Sequence, residues 1–454
     1  MSLKESFNQF LSDRFNKEST TKLTRKREKE LGLGELIAIA LGGMVGGGIF
    51  SILGIATEYI GNATPIAILI GGVLASFAAY SYVKLALFYK DEGATYSFFK
   101  KSFPGSPLAS SAIGWLIVFG YISTLALYAF TFASYFCSQI EALNDPLWQK
   151  IVAGLVITFF AAVNLVSVKG MGKLEDLLVY SKIIILLFIS GMLVGKGDIQ
   201  NLYPVFENQT TLNQILVVSA ITFVAFEGFQ LVIHAYNEMD DPQKNIPRAI
   251  YSSIGIATAL YVVLAISALA TIPKEIIISD KEYALAAGAK TYLGTLGQFM
   301  VIFGALLATS SAISGTLFGA SRLMAVVAND GYFPKSLGRK IKVHIPDRAI
   351  ITMSVLAFIL LATGGLQVIL EFGSITFIGV SLLMAYTNYK KRKETNSSLL
   401  LTIAALLGLF FAGLLIIYFE FTVNKEQFYY ILSIYVLLGM GALFFAKRNG
   451  KKEA

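Results

Sequence analysis

Cysteine occurs once in this 454-residue chain, at Cys137, and histidine twice, at His234 and His344. One cysteine excludes an internal disulfide and a cysteine-based metal centre. The two histidines stand far apart in sequence, so no metal site is expected. Without a convergent set of nucleophile, base or metal ligands, a membrane-embedded enzyme is not expected either. No G-x-x-x-x-G-K-[ST] loop is present, so nothing suggests that the chain draws on ATP, and no cofactor is expected. Charge is scarce as well. Charged residues make up 15% of the chain, against about 25% in an ordinary soluble domain.

Apolar residues take up that deficit. The chain is 55% hydrophobic, with a mean hydropathy of +0.66. Runs of about 20 apolar residues, the length that crosses a bilayer, recur along it. The runs are continuous rather than alternating, which favours helices over a membrane β-barrel. The chain therefore reads as an all-α polytopic membrane protein. Twelve spans are expected, near 35–60, 64–89, 109–138, 150–168, 175–195, 213–236, 248–271, 295–327, 349–363, 366–388, 399–419 and 427–446. The split between the ninth and tenth rests on "TGGL" at 363–366, which interrupts the pattern.

The net charge of +8 would suggest nucleic acid in a soluble protein. Here it has a simpler explanation, because lysine and arginine gather in cytoplasmic loops of membrane proteins. With the N-terminus inside, the inner loops hold Lys90, Lys100 and Lys101, then Lys169 and Lys173, then Lys335, Arg339, Lys340, Lys342 and Arg348, then "YKKRKE". The C-terminal "AKRNGKKEA" is basic too, and the outer loops are poorer in basic residues. Both termini are expected inside, in a plasma or cytoplasmic membrane. The polar first 34 residues, with "TRKREKE" next to the membrane, lack the apolar core of a signal peptide. No nucleic-acid partner is expected, and the sequence leaves the oligomeric state open.

Two spans are interrupted. Span 1 holds "LGGMVGGGIF" (41–50), with Gly42, Gly43, Gly46, Gly47 and Gly48; span 6 holds "FVAFEGFQ" (223–230), with Glu227 and Gly228 in mid-membrane. Glycine costs a helix about 1 kcal/mol relative to alanine. A broken helix also frees backbone polar groups, which lipid tolerates only where something else satisfies them. An amino acid would do so: its carboxylate suits N–H groups at a helix N-terminus, and its ammonium suits carbonyls. On this reading the amides of Gly46, Gly47 and Gly48 face a carboxylate, and the carbonyls near Gly42, Gly43 and Met44 face cations. Substrate contacts are expected from Gly43, Met44, Val45, Gly46, Gly47 and Gly48 in span 1, and from Phe223, Val224, Ala225, Phe226 and Gly228 in span 6. The competing explanation is close helix packing by small residues such as Gly43 and Gly47. Five spans separate the two interruptions. Because five is odd, a five-span repeat would be inserted upside down, and matched broken helices in two halves point to a transporter site.

These stretches carry a resemblance. "GGMVGGGIF" resembles the first-helix motif of the amino acid–polyamine–organocation transporters. "FVAFEGFQLVIHAYNEMDDPQKNIPRAI" (223–250) resembles that family's sixth helix and following loop, and "SRLMAVVANDGYFPKSL" (321–337) the end of its eighth helix. The resemblance implies the leucine-transporter-like five-plus-five inverted-repeat fold. It divides the chain into a tail (1–34), a first repeat (35–195), a second repeat (213–388), two further spans (399–446) and a second tail (447–454). It also implies uptake or exchange of amino acids or related amines by alternating access.

Two ionisable residues are expected to carry coupling to protons. Lys182 lies inside the apolar run "LVYSKIIILLFISGM" (178–192) of span 5. A lysine at the bilayer centre costs at least about 2.5–3.5 kcal/mol. In the resembled family, some sodium-independent members carry a lysine at this point, where its ammonium takes the place of a sodium ion beside the first helix. Lys182 would otherwise be a snorkelling side chain, with Glu175 and Asp176 marking the cytoplasmic end. Glu227 would relay protons, contact a cationic substrate group, or cap the freed N–H groups of the broken helix. Ser310 and Ser311 are candidate partners of Lys182, and Phe223, Phe226, Phe229, Tyr121 and Tyr128 are candidate linings of the pathway. Lys84 is expected to snorkel, and Asp240, Asp241 and Arg248 to fix helix geometry. The sequence thus reads as a proton-coupled, sodium-independent amino acid transporter. An exchanger, a polyamine carrier and a non-transporting amino acid sensor are the alternatives. A channel is disfavoured, because no repeated pore loop stands out.

Overall fold

The computed structural model describes residues 31–143, 145–166, 171–206, 210–280, 283–339 and 345–453; the side chains of 166, 171–177 and 450–453 are not described. The tail 1–30 with "TRKREKE", together with Lys169, Lys340, Lys342 and His344, lies outside the described residues, as do the side chains of Lys173, Glu175 and Asp176.

Among the described residues the chain is helical and has no strand. The first span is two helices, α1 (Leu33–Met44) and α2 (Gly47–Ile60). Helix α3 (Thr64–Tyr89) leads into the short α4 (Ala94–Ser102). Then come α5 (Pro107–Cys137), α6 (Pro146–Val166) and α7 (Met171–Val194). Helix α8 (Leu212–Ile221) passes into two 3₁₀ stretches, Thr222–Phe226 and Phe229–Glu238. Helices α9 (Pro242–Thr271), α10 (Lys274–Ser279), α11 (Ala284–Asn329), α12 (Asp347–Lys390), α13 (Leu399–Thr422) and α14 (Lys425–Glu453) complete the chain. Nine stretches of the described residues are helical, long and apolar enough to cross a membrane, and Leu33–Met44 and Leu178–Val194 are shorter apolar helices.

Local sequence accounts for many of the starts. Pro65, Pro107 and Pro242 each stand in the first turn, where a missing N–H costs nothing. The Ser106 hydroxyl accepts from the Ala109 amide at 3.4 Å, and Thr211 forms a reciprocal capping box with Gln214. "TGGL" does interrupt the helical geometry: Gly365 takes φ 70° inside α12, and Gly294 takes φ 71° inside α11. Helix α5 is the hub, packed against α6, α11, α12 and α14. Helices α13 and α14, by contrast, leave many large apolar side chains exposed, among them Leu400, Phe411, Tyr418, Leu437 and Phe444. Such a surface suits lipid rather than water.

Candidate functional site

The two interrupted spans meet at their breaks. Helix α1 ends at Met44; Val45 and Gly46 leave helical geometry, and α2 begins at Gly47. The second break lies at Glu227, which is extended, and Gly228, at φ 127°. Here the backbones touch. A Cβ on Gly228 would lie 2.6 Å from the carbonyl carbon of Gly43, and one on Gly43 would lie 2.9 Å from Gly228 Cα. Real side-chain carbons do not come so near, so both positions require glycine. A Cβ on Gly48 would likewise lie 3.1 Å from the Cβ of Ala225. Close packing and helix breaks therefore coexist in these glycines.

The end of α1 frees carbonyl groups, and side chains from three other spans reach them. Lys182 Nζ of α7 donates to the Gly42 carbonyl at 3.1 Å. The Tyr128 hydroxyl of α5 donates to Gly43 at 3.0 Å. The Tyr261 hydroxyl of α9 lies 2.7 Å from the Met44 carbonyl and 3.1 Å from that of Ala225, bridging the two breaks. Lys182 is fully buried, with no exposed surface. An ammonium on the last carbonyls of a helix is favourable both as a charge-assisted bond and against the helix dipole. Lys182 is thus held inside the protein at the break, which does not match a snorkelling side chain.

The α2 side of the break differs in one detail from the sequence expectation. The Gly46 amide donates to the Met44 carbonyl at 2.9 Å, so it is already engaged. The N–H groups without an intrahelical partner belong to the first turn of α2, from Gly47 onward. Next to them, Thr131 contacts the Ser51 hydroxyl at 2.7 Å. Val45, Gly46, Gly47 and Gly48 are all buried, as are Phe223, Val224, Ala225 and Phe226.

Glu227 is buried too, and does not cap the broken helix. That role falls to Gln230, whose Oε1 accepts from the Gly228 amide at 3.1 Å. Gln230 Nε2 donates to Glu227 Oε2 at 2.7 Å and to the Tyr121 hydroxyl at 3.2 Å. Glu227 Oε1 has no hydrogen-bond partner among the described residues. An orphaned carboxyl oxygen in a buried site is costly unless a ligand or a proton satisfies it.

A cavity of about 1290 Å³ opens at one end of the bundle, lined by Glu35, Asp91, Lys100, His234, Arg322 and Asp330 among others. Beside it, sharing Leu231, His234 and Leu323, a small void of about 20 Å³ is also lined by Tyr121. Glu227 is therefore two hydrogen bonds away from a residue that borders this void. The cavity mouth is built on α4. Asp330 takes hydrogen bonds from Tyr96 and Lys100, each at 2.7 Å. Asp91, between α3 and α4, is bonded by Lys101, Ser97 and the Gly93 amide. Burial alone would raise the Asp91 carboxyl, but those three donors hold it below the ordinary carboxylate range. At the same end, Leu31 and Met239 form a parallel bridge, with bonds from Leu31 N to Glu238 O at 2.8 Å and from Asp240 N to Leu31 O at 3.1 Å.

The remaining expected residues fall in several places. Phe226 tilts against Tyr261, and Phe229 meets Tyr82 edge-on, so both rings pack. Ser311 is buried with no hydrogen-bond partner among the described residues, and Ser310 is partly buried. Lys84 reaches the Asn396 carbonyl at 2.9 Å. Asp241 pairs with Lys244 at 2.9 Å, and that contact holds its carboxyl below the usual range. Cys137 is buried and free. The sequence reading passed over Tyr261 and Gln230. Gln230 was legible, as an amide beside a mid-membrane acid; Tyr261 gave no signal beyond a polar-tipped ring in an apolar run.

Two helices broken against each other inside an apolar helical bundle, with a cavity leading toward the break, define the class: a polytopic membrane transporter rather than an enzyme. The chain belongs to the amino acid permease family, whose profile matches residues 31–443. It is 30% identical over 414 residues to an uncharacterized protein of Methanocaldococcus jannaschii, covering 90% of this chain and 94% of that protein. It is 28% identical to the inner membrane transport protein YbaT of Escherichia coli, covering 93% and 97%. It is 27% identical to the human cystine/glutamate transporter, covering 78% and 73%.

Proposed function

We propose that the chain is a secondary active transporter that moves amino acids across the cytoplasmic or plasma membrane by alternating access, coupled to protons and independent of sodium. The observation that carries this reading is the hydrogen bond from the fully buried Lys182 to the Gly42 carbonyl at the break. A protonated Lys182 supplies, at the end of α1, the positive charge that a sodium ion would otherwise bring. Loss of that proton weakens the bond and frees the end of α1 to move. The substrate carboxylate binds the first-turn amides of α2 from Gly47 onward, and the substrate ammonium faces the carbonyls of the 3₁₀ turn Thr222–Phe226. In this reading span 1 is α1 with α2, and α12 counts as two spans divided at Gly365. That gives twelve spans, with inverted repeats at 35–195 and 213–388 and both termini inside.

The experiment is uptake of radiolabelled amino acids into proteoliposomes with an inward proton gradient and no sodium. Uptake that collapses with a protonophore is expected. A requirement for sodium would overturn the role of Lys182, and a requirement only for amino acid inside would make the protein an exchanger. A second reading, transport of a cationic amine, is favoured by the unpartnered Glu227 Oε1. Including polyamines among the labelled substrates separates the two.

A further inference from the structure

Away from the cavity, two acids from different helices meet inside the bundle. Glu371 of α12 is fully buried, and Glu420 near the end of α13 is 1% exposed. Gln367 of α12 and Asn424, just past α13, both donate to the Tyr59 hydroxyl, at 2.8 and 3.4 Å, and Phe419 meets the Tyr59 ring edge-on at 5.3 Å, which brings the two acids together around one side chain. Gln367 Nε2 also donates to Glu371 Oε1 at 2.7 Å. Glu371 Oε2 and both oxygens of Glu420 receive no well-formed hydrogen bond from the described residues; the Asn424 amide lies beside Glu420. The other titratable groups here are Tyr59 and, beyond it on the same helix, Glu58. Among the described residues, no lysine, arginine or histidine is placed against the pair by these contacts.

Two buried carboxylates gathered around one side chain cannot both stay ionised, since like charges so near each other in a low-dielectric site repel by several kcal/mol. One proton held between them removes the clash and gives the orphaned oxygens a donor. We propose that Glu371 and Glu420 form a second proton-binding site, in which one shared proton fastens α13 to α12. The pair shares no residue with the helix breaks or with Lys182, although Gly373 and Ser374, next along α12, contact Val224 and the Ile221 carbonyl of span 6. It holds whether or not transport is proton-driven.

The test compares thermal melting of the purified full chain from neutral to alkaline pH in the wild type, Glu371→Gln and Glu420→Gln. Either glutamine supplies an amide donor to its partner carboxyl at every pH. The wild type is expected to lose melting temperature as alkali strips the shared proton, and both variants to lose less. Parallel profiles in all three proteins would overturn the proposal. Infrared difference spectra recorded through the same pH change supply a readout that does not rest on stability. A protonated-carboxyl band present in the wild type and absent from either variant supports the shared proton, and an unchanged band overturns it. Sodium or calcium that raises the wild-type melting temperature, but not that of the variants, would make this a metal-cation site instead, and would also overturn it.

Discussion

At the scale of single residues, the site depends on atoms that are missing. Gly228 combines a φ that L side chains rarely adopt with contact against Gly43 backbone. Strain of this kind costs about 1–3 kcal/mol before any clash is counted. Gly228→Ala should therefore lower the melting temperature and weaken amino acid binding together, as thermal melting with and without substrate would read. Lys182→Ala tests a different property. It removes the donor to the Gly42 carbonyl, so proton-driven uptake should fall to background while a monodisperse elution profile persists. Full proton-coupled uptake in this variant would end the proposed role of Lys182. Both residues were legible in the sequence, because a run of glycines and a lysine are out of place in apolar segments. Tyr261 was not: its bridge from Met44 to Ala225 joins positions 36 or more residues from it along the chain, and no local pattern reports that. Glu371 and Glu420 also stood in apolar runs, and the rule that singled out Glu227 applied equally to them.

At the scale of elements, the breaks were legible and their capping was not. Glycine clusters announce where a helix stops, but the partners that satisfy the freed carbonyls come from α5, α7 and α9. The sequence expectation merged α4 into a basic loop. Its first turn is instead organised by Asp91, which collects Lys101, Ser97 and the Gly93 amide. A carboxyl held below its unfolded value contributes stability that is complete above the ordinary carboxylate range and is lost as pH falls through the folded value. Melting should therefore weaken in acid, and Asp91→Asn should flatten part of that acid loss. An unchanged acid limb in the variant would mean that Asp91 contributes nothing measurable. "TGGL" shows the same division of knowledge: the interruption was visible, whereas its φ of 70° at Gly365 is a property of the folded backbone.

At the scale of the molecule, composition alone defined a helical membrane protein, and three motifs in order pointed to its family. The cavity was invisible beforehand, because its lining comes from the start of α1, the stretch from the end of α3 through α4 to the start of α5, the second half of span 6 and the end of α11 with the turn after it. These segments are distant in sequence and share no pattern.

The short parallel bridge between Leu31 and Met239 has a mechanical consequence. It ties the entry to the first broken span to the exit from the second, while the glycines hold the same two spans together at their breaks. A pair fastened at two levels resists shearing and should travel as a single lever. Paired spin labels on residues 33 and 243 should keep one distance when substrate is added, while the distance from either to residue 322 on α11 changes. Two labels that drift apart from each other would show the lever to be hinged.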